Sequence, residues 1–192
     1  MTVQPGSEEG ISEQASASRL TWSNALTSLR LLASFPLYCA IVSGAPRAAC
    51  AIFWAAVASD WLDGRIARAR GEVTSFGGVL DHGSDATLVT LGLSALAMIG
   101  VGSWVLPLLV GLAFLQYAFD SRALAGRPLR ASALGRWNGI FYFVPIGVFV
   151  TRESLGLDWP SDVTLEWLVW ALVVSTAASM IDRGWALVRR SA

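Results

Sequence analysis

Acidic side chains that could do chemistry are concentrated in one short segment of this sequence, which contains Asp60, Asp63, Asp81 and Asp85. On a helix, residues three or four positions apart share a face, so the first two aspartates line one helix face and the last two line another. Crowded carboxylates repel one another, and a divalent cation removes that repulsion. Oxygen ligands select Mg²⁺, Mn²⁺ or Ca²⁺, and Mg²⁺ is often shared with a substrate phosphate. The spacing therefore predicts a metal site for a phosphate-bearing substrate.

Small and basic residues accompany these aspartates on the same two faces. Gly64 and Gly77 have no side chain, which would let a ligand or a neighbouring helix approach the backbone closely. Arg68 could bind phosphate oxygens in a bidentate manner, and Ala67 is small enough not to obstruct it. The alternative is a purely structural ion-pair network in which nearby arginines cap the two helices. We favour the metal site.

The composition indicates what must position these residues. Of the 192 residues, 54% are hydrophobic and 15% are charged, which is more apolar than a soluble core of this size requires and predicts one membrane-embedded domain. The basic residues are all arginines, and 14 acidic residues balance them, so the chain lacks the positive charge that supports nucleic-acid binding. Cys39, Cys50 and the single histidine, His82, show no zinc-ligand or disulfide pattern.

The chain divides into a short tail and a helical domain. Residues 1–18 are polar and small, which predicts a disordered tail without a signal peptide. Six apolar stretches follow, near residues 26–46, 48–66, 75–102, 104–120, 137–151 and 164–186. The second stretch must extend to Arg65 to cross a bilayer, and that extension places Asp60 and Asp63 below the membrane surface. Residues 152–166 are predicted to form an outer loop.

The distribution of arginines predicts the orientation of these spans. If both termini are cytoplasmic, most of the arginines that flank the spans lie on that side, and only Arg47 and Arg152 lie on the other. This asymmetry follows the positive-inside rule and requires an even number of spans. The predicted fold is therefore an all-α integral membrane domain over residues 19–192, with six transmembrane helices and cytoplasmic termini.

The acidic segment resembles the signature of the CDP-alcohol phosphatidyltransferases. The pattern is Asp60-x-x-Asp63-Gly64-x-x-Ala67-Arg68, eight residues, then Gly77-x-x-x-Asp81-x-x-x-Asp85, with every fixed position and every gap present. The resemblance implies a six-helix membrane enzyme, commonly a homodimer. Such an enzyme transfers a phosphatidyl group from CDP-diacylglycerol to an alcohol and releases CMP. Its setting would be a bacterial cell membrane, with the active site at the cytoplasmic side.

The resemblance also implies roles for individual residues. Asp60, Asp63, Asp81 and Asp85 would hold two Mg²⁺ or Mn²⁺ ions, and Asp85 would also act as the base for the attacking hydroxyl. A second set of residues would contact the cytidine nucleotide: Gly64, Ala67, Arg68 and Gly77. The metals would neutralise the diphosphate while a carboxylate deprotonates the alcohol, so no covalent intermediate is needed.

Two further motifs bear on the substrates. The run Asn24-Ala-Leu-Thr27-x-x-Arg30 resembles the opening of bacterial members that use CDP-diacylglycerol, although an interfacial arginine that snorkels to the surface would look the same. Gly135-Arg136 resembles a Gly-Lys segment of glycerophosphate-using members, with arginine in place of lysine. Arg136 could therefore recognise a phosphorylated acceptor such as glycerol 3-phosphate.

Three other functions remain open from the sequence. The form Asp81-His82-Gly83 resembles choline and ethanolamine phosphotransferases, in which a CDP-linked head group meets diacylglycerol. His82 itself is predicted to pack or form hydrogen bonds, because it lies off the aspartate face. An intramembrane prenyltransferase also uses aspartate-rich helices, but on well-separated helices. A cation transporter would spread its carboxylates across the bilayer rather than cluster them at one end.

Overall fold

The computed structural model describes residues 22–70, 75–120 and 133–191, and the regular structure within them is helical. The helices are α1 (Trp22–Val42), α2 (Pro46–Arg70), α3 (Ser75–Met98), α4 (Val105–Asp120), α5 (Ala133–Phe141), α6 (Phe143–Leu155) and α7 (Asp162–Ser191). The predicted tail, residues 1–18, lies outside the described residues. The prediction of an all-α fold is confirmed.

Helices α5 and α6 form one rod with a single-residue interruption at Tyr142. The Tyr142 backbone is in the right-handed helical region, and its N–H donates to the Asn138 carbonyl over 3.0 Å. Pro145 has no N–H to donate to the carbonyl of Phe141, four residues earlier, which accounts for a break at this point. The described helices therefore make six rods, one for each apolar stretch in the sequence.

Helix α1 is the centre of the bundle's packing. It makes the most extensive contacts of any described helix, first with α3 and then with α2. Within the described residues, α1 packs against both aspartate-bearing helices and mediates their association. The buried core includes Leu37 of α1, Phe53 of α2 and Leu88 of α3.

Helix α6 closes the bundle through two glycine contacts. A Cβ atom on Gly147 would lie 2.9 Å from the ring of Phe53 in α2. A Cβ atom on Gly92 of α3 would lie 2.6 Å from Cδ1 of Ile146 in α6. Real side chains do not approach this closely without displacement, so glycine at these positions permits the close packing of α6 on α2 and α3.

The loop before α7 is shorter than the sequence predicts. Helix α6 continues to Leu155 and ends at Gly156, whose φ of 64° is in the left-handed region that favours glycine. The prediction of a loop over residues 152–166 is wrong at both ends, because α7 already begins at Asp162. Arg152 is buried in α6, where its guanidinium binds Glu153 over 2.8 Å and Asp162 over 2.6 Å. The buried guanidinium is paired with both carboxylates, so its charge does not require a solvated loop.

One described helix meets the length and hydropathy expected of a membrane span. It is the Asp162–Trp185 part of α7, with a mean hydropathy of 1.5. Ser28–Val42 and Val105–Gln116 are shorter apolar segments. Large hydrophobic side chains are nevertheless exposed on other helices too, including Leu32, Leu108 and Trp167.

Candidate active site

Three of the four predicted aspartates converge at one end of the bundle. Asp60 comes from α2, and Asp81 and Asp85 come from α3. Their side chains are partly exposed, at 47% for Asp60, 38% for Asp81 and 29% for Asp85. The carboxylates are therefore accessible to a ligand, and Asp85 is the most sheltered of the three.

Arg30 of α1 joins these carboxylates. Its Nη1 donates to Oδ1 of Asp85 over 2.8 Å and to Oδ1 of Asp81 over 3.0 Å, while Nη2 lies 2.8 Å from Oδ1 of Asp60. The Arg30 side chain is only 1% exposed. The interpretation of this residue as a snorkelling interfacial arginine is therefore wrong: its charge is held inside the protein by three acidic partners.

For the remaining signature residues the structure gives the helix to which each belongs. Asp63, Gly64, Ala67 and Arg68 belong to helix α2, and Gly77 belongs to α3. Their side-chain environments lie outside what the structure describes. The predicted contacts with the second metal and with the nucleotide therefore stay predictions.

The described residues fit a divalent cation. One ligand atom from each of Asp81, His82 and Asp85 lies within 4.8 Å of the other two. Carboxylate oxygens are the ligands that Mg²⁺ and Mn²⁺ prefer, and an imidazole nitrogen is compatible with Mn²⁺. The His82 ring therefore lies closer to the carboxylates than its sequence position predicted. Rotation about the side-chain bonds can bring a ring nitrogen toward the neighbouring helix face.

A cavity of about 980 Å³ extends from this acidic end. Asp60, His82 and Asp85 line it, together with apolar residues of several helices such as Phe114 and Val148. Trp159, from the loop before α7, also lines it. A cavity of this size with a largely apolar wall and a few polar groups at one place is typical of a site for an amphipathic small molecule.

Basic residues of helices α5 and α7 line the same cavity and form what is called its basic wall. Arg136 of α5 and Arg183 of α7 both line it. Arg136 is exposed, which leaves its guanidinium accessible to an anionic ligand. The sequence had singled out Arg136 but not Arg183, which was counted only as one of the cytoplasmic arginines. Helical periodicity could have predicted that Arg183 shares a face of α7 with Thr176 and Ser179. It could not have predicted that this face lines the cavity.

Polar contacts between α5 and α7 hold this basic wall in place. Ser175 Oγ donates to Asn138 Oδ1 over 2.6 Å, and the hydroxyls of Tyr142 and Thr176 are 2.8 Å apart. Asn138 and Thr176 are buried, at 3% and 1% exposure. These short hydrogen bonds fix the helix turn that carries Arg136 relative to α7.

Comparison with known proteins identifies the family. The sequence profile described as CDP-alcohol phosphatidyltransferase matches residues 20–178, which include the four aspartates of the signature, Arg30 and Arg136. The chain belongs to this family. The resemblance inferred from the spacing of the aspartates is thereby confirmed.

Individual relatives of this CDP-alcohol phosphatidyltransferase family member are bacterial. Two strains of Mycobacterium tuberculosis have a protein named probable phosphatidylglycerophosphate synthase that is 31% identical over 145 residues. The match covers 73% of this chain and 66% of each relative, so the chain spans slightly less than two thirds of their length. No solved structure matches the chain significantly.

Proposed function

We propose that this protein is a phospholipid-synthesising enzyme that transfers a phosphatidyl group from CDP-diacylglycerol to glycerol 3-phosphate and releases CMP. One observation carries the proposal: a single cavity is lined by Asp60, His82 and Asp85, its acidic wall, and by Arg136 and Arg183, its basic wall. The acidic wall suits a metal-bound diphosphate, and the basic wall suits a phosphorylated acceptor. The names of the mycobacterial relatives agree with this acceptor.

On this proposal, Asp60, Asp63, Asp81 and Asp85 hold two Mg²⁺ or Mn²⁺ ions, and Gly64, Ala67, Arg68 and Gly77 contact the cytidine nucleotide. Bound divalent ions neutralise the diphosphate and stabilise the departing CMP. Asp85 accepts the proton of the acceptor hydroxyl, whose oxygen attacks the phosphorus of the phosphatidyl group. The bond between that phosphorus and the bridging oxygen breaks, and CMP leaves with the electron pair. The apolar part of the cavity wall suits the lipid portion of the donor.

The membrane setting is part of the proposal. Six rods, an apolar helix α7 and large hydrophobic side chains exposed to the outside, such as Leu32 and Trp167, support an integral membrane domain. The arginine asymmetry supports cytoplasmic termini, with the active site at the cytoplasmic side of a bacterial cell membrane. A homodimer is expected from the family, and the molecular mass of the purified protein in detergent tests that expectation.

A panel of donors and acceptors tests the proposed reaction. Purified protein with Mg²⁺ or Mn²⁺ is given labelled CDP-diacylglycerol and glycerol 3-phosphate, inositol phosphate, serine or a lipid alcohol, and CMP and lipid products are separated by chromatography. We expect CMP release with glycerol 3-phosphate. Turnover only of CDP-choline or CDP-ethanolamine with diacylglycerol would favour the alternative that the Asp81-His82-Gly83 form suggests. The absence of CMP with every pair would contradict the enzyme assignment.

The substitution Arg136→Ala tests the basic wall. A charge-assisted hydrogen bond to a phosphate contributes about 1.5–3 kcal/mol, so we expect KM for glycerol 3-phosphate to rise about 10-fold or more. KM for CDP-diacylglycerol should change little, because the donor binds at the acidic wall. Steady-state kinetics with each substrate varied in turn measures both constants.

Arg65→Ala is the matched control for this substitution. Arg65 is also exposed and lies five residues after Asp60 in α2. Its guanidinium stacks 4.8 Å from the centroid of the Trp61 ring, and Arg65 is not among the residues that line the cavity. Its removal takes away one positive charge without changing the cavity wall. An equal rise in KM for both variants would show that only the general positive charge matters and would remove Arg136 from acceptor recognition.

A further inference from the structure

Arg30 is the least exposed charged side chain near the candidate active site, and it lies where three helices meet. Its Nη1 contacts Asp81 and Asp85 of α3, and its Nη2 contacts Asp60 of α2. Nη1 also donates to Ser84 Oγ over 3.2 Å. A side chain with 1% exposure has no bulk water to solvate its charge, so these partners must compensate for the loss of hydration.

The positions of the three carboxylates also depend on the charge of Arg30. Asp60, Asp81 and Asp85 are anchored on two helices whose association α1 mediates. Without a nearby cation, three carboxylates around one point repel one another and would push α2 and α3 apart. The guanidinium is planar and has several donors in fixed directions, which allows one side chain to hold all three at once.

The charge balance couples Arg30 to a divalent ion. Among the described residues, three carboxylates and one guanidinium leave two negative charges, which favours binding of divalent cations. Removal of the guanidinium would leave these carboxylates without the side chain that joins them. A bound metal ion would then hold them together in its place.

We propose that Arg30 is a positioning residue: it holds Asp60, Asp81 and Asp85 together across three helices when no divalent ion is bound. The proposal concerns the assembly of the site rather than contact with substrate. The expected response to a divalent ion rests on the proposed function. The role of Arg30 in the absence of an ion does not. The two parts are therefore measured separately.

The first measurement is thermal unfolding of purified full-length Arg30→Gln in detergent with EDTA. Loss of one member of a buried charge cluster is strongly destabilising, and we expect Tm to fall by about 10 °C. Addition of Mn²⁺ should raise Tm more in this variant than in the unsubstituted protein, because the ion replaces the missing cation. Equal, non-zero increments in the two proteins would contradict the positioning role.

Arg152→Gln is the control for loss of a buried arginine. Arg152 is also buried and binds two carboxylates, but it belongs to the Glu153–Asp162 cluster beside the loop before α7. Its substitution should also lower Tm, while the increment produced by Mn²⁺ stays that of the unsubstituted protein. A larger Mn²⁺ increment in this variant as well would show a general effect of instability and would overturn the proposal.

A double variant separates electrostatic coupling from lost packing. In EDTA, Asp60→Asn should lower the Tm of the otherwise unsubstituted protein. In the Arg30→Gln background the same substitution should lower Tm less, or raise it, because Asp60→Asn removes one of the carboxylates that repel one another. Additive losses would contradict the proposal. If Arg30→Gln alone does not fold, recovery of folded protein in the double variant supports the proposal, and failure of both contradicts it. Coupling in EDTA without any Mn²⁺ response supports the role of Arg30 and contradicts the proposed metal site instead.

Discussion

Asp85→Asn is expected to lower kcat for CMP release by about 10³-fold, because general base catalysis contributes between about 10² and 10⁴ to such rates. Asp85 is the most sheltered of the three described carboxylates, lines the cavity, and accepts a hydrogen bond from Arg30 over 2.8 Å. Asparagine has the same shape and can still accept that hydrogen bond, but its amide cannot take a proton from an alcohol. Initial rates of CMP release with saturating substrates measure the change.

The same variant should still bind the donor lipid. The nucleotide contacts are assigned to other residues, so the increase in Tm that CDP-diacylglycerol produces should largely persist. Asp182→Asn is the matched control, because Asp182 is an exposed aspartate of α7 outside the cavity lining, and its substitution should leave kcat unchanged. An unchanged rate in Asp85→Asn would remove its role as the base. A loss of both rate and donor binding would assign Asp85 to metal binding alone.

Removal of divalent ions is expected to reduce transfer to background. Even with Arg30 in place, the described acidic cluster retains two negative charges, and the diphosphate of the donor is itself an anion. Electrostatic repulsion therefore opposes donor binding, and nothing balances the charge that develops on the departing CMP. Activity measured in EDTA, then during titration with excess Mg²⁺ or Mn²⁺, tests this.

Restoration by the added ions distinguishes metal loss from damage to the protein. EDTA already saturated with Mg²⁺ serves as the control for effects of the chelator itself and should leave turnover intact. Turnover in EDTA at the full rate would rule out the metal-dependent mechanism.

The sequence predicted the family and the helices of this protein more closely than their packing. Helical spacing alone was sufficient to bring Asp81 and Asp85 to one face of α3, because side chains four residues apart are neighbours on any α-helix. The six apolar stretches likewise predicted six rods, since local hydrophobicity is read directly from the chain. Family membership followed from the fixed gaps between the aspartates.

Errors arose where side-chain conformation and the exact end of a helix decide which neighbours a residue contacts. Arg152 looked like part of a loop because the charges that surround it in sequence are those of a solvated segment, yet Glu153 and Asp162 neutralise it in the folded protein. His82 was predicted to lie away from the carboxylates because its Cα–Cβ bond points in a different direction from those of Asp81 and Asp85. The side chain nevertheless places a ring nitrogen within 4.8 Å of a carboxylate oxygen from both neighbours.

The amino-acid sequence by itself determined the set of helices and the helix face on which each reactive residue lies. Both depend on interactions between residues a few positions apart. Only the tertiary structure decided that α1 mediates the association of α2 and α3, that Arg30 joins their aspartates, and that Arg136 and Arg183 line the same cavity as these aspartates. Arg30 is separated by 55 positions from Asp85. Such contacts depend on how whole helices pack, and periodicity along one helix carries no information about which neighbour it meets.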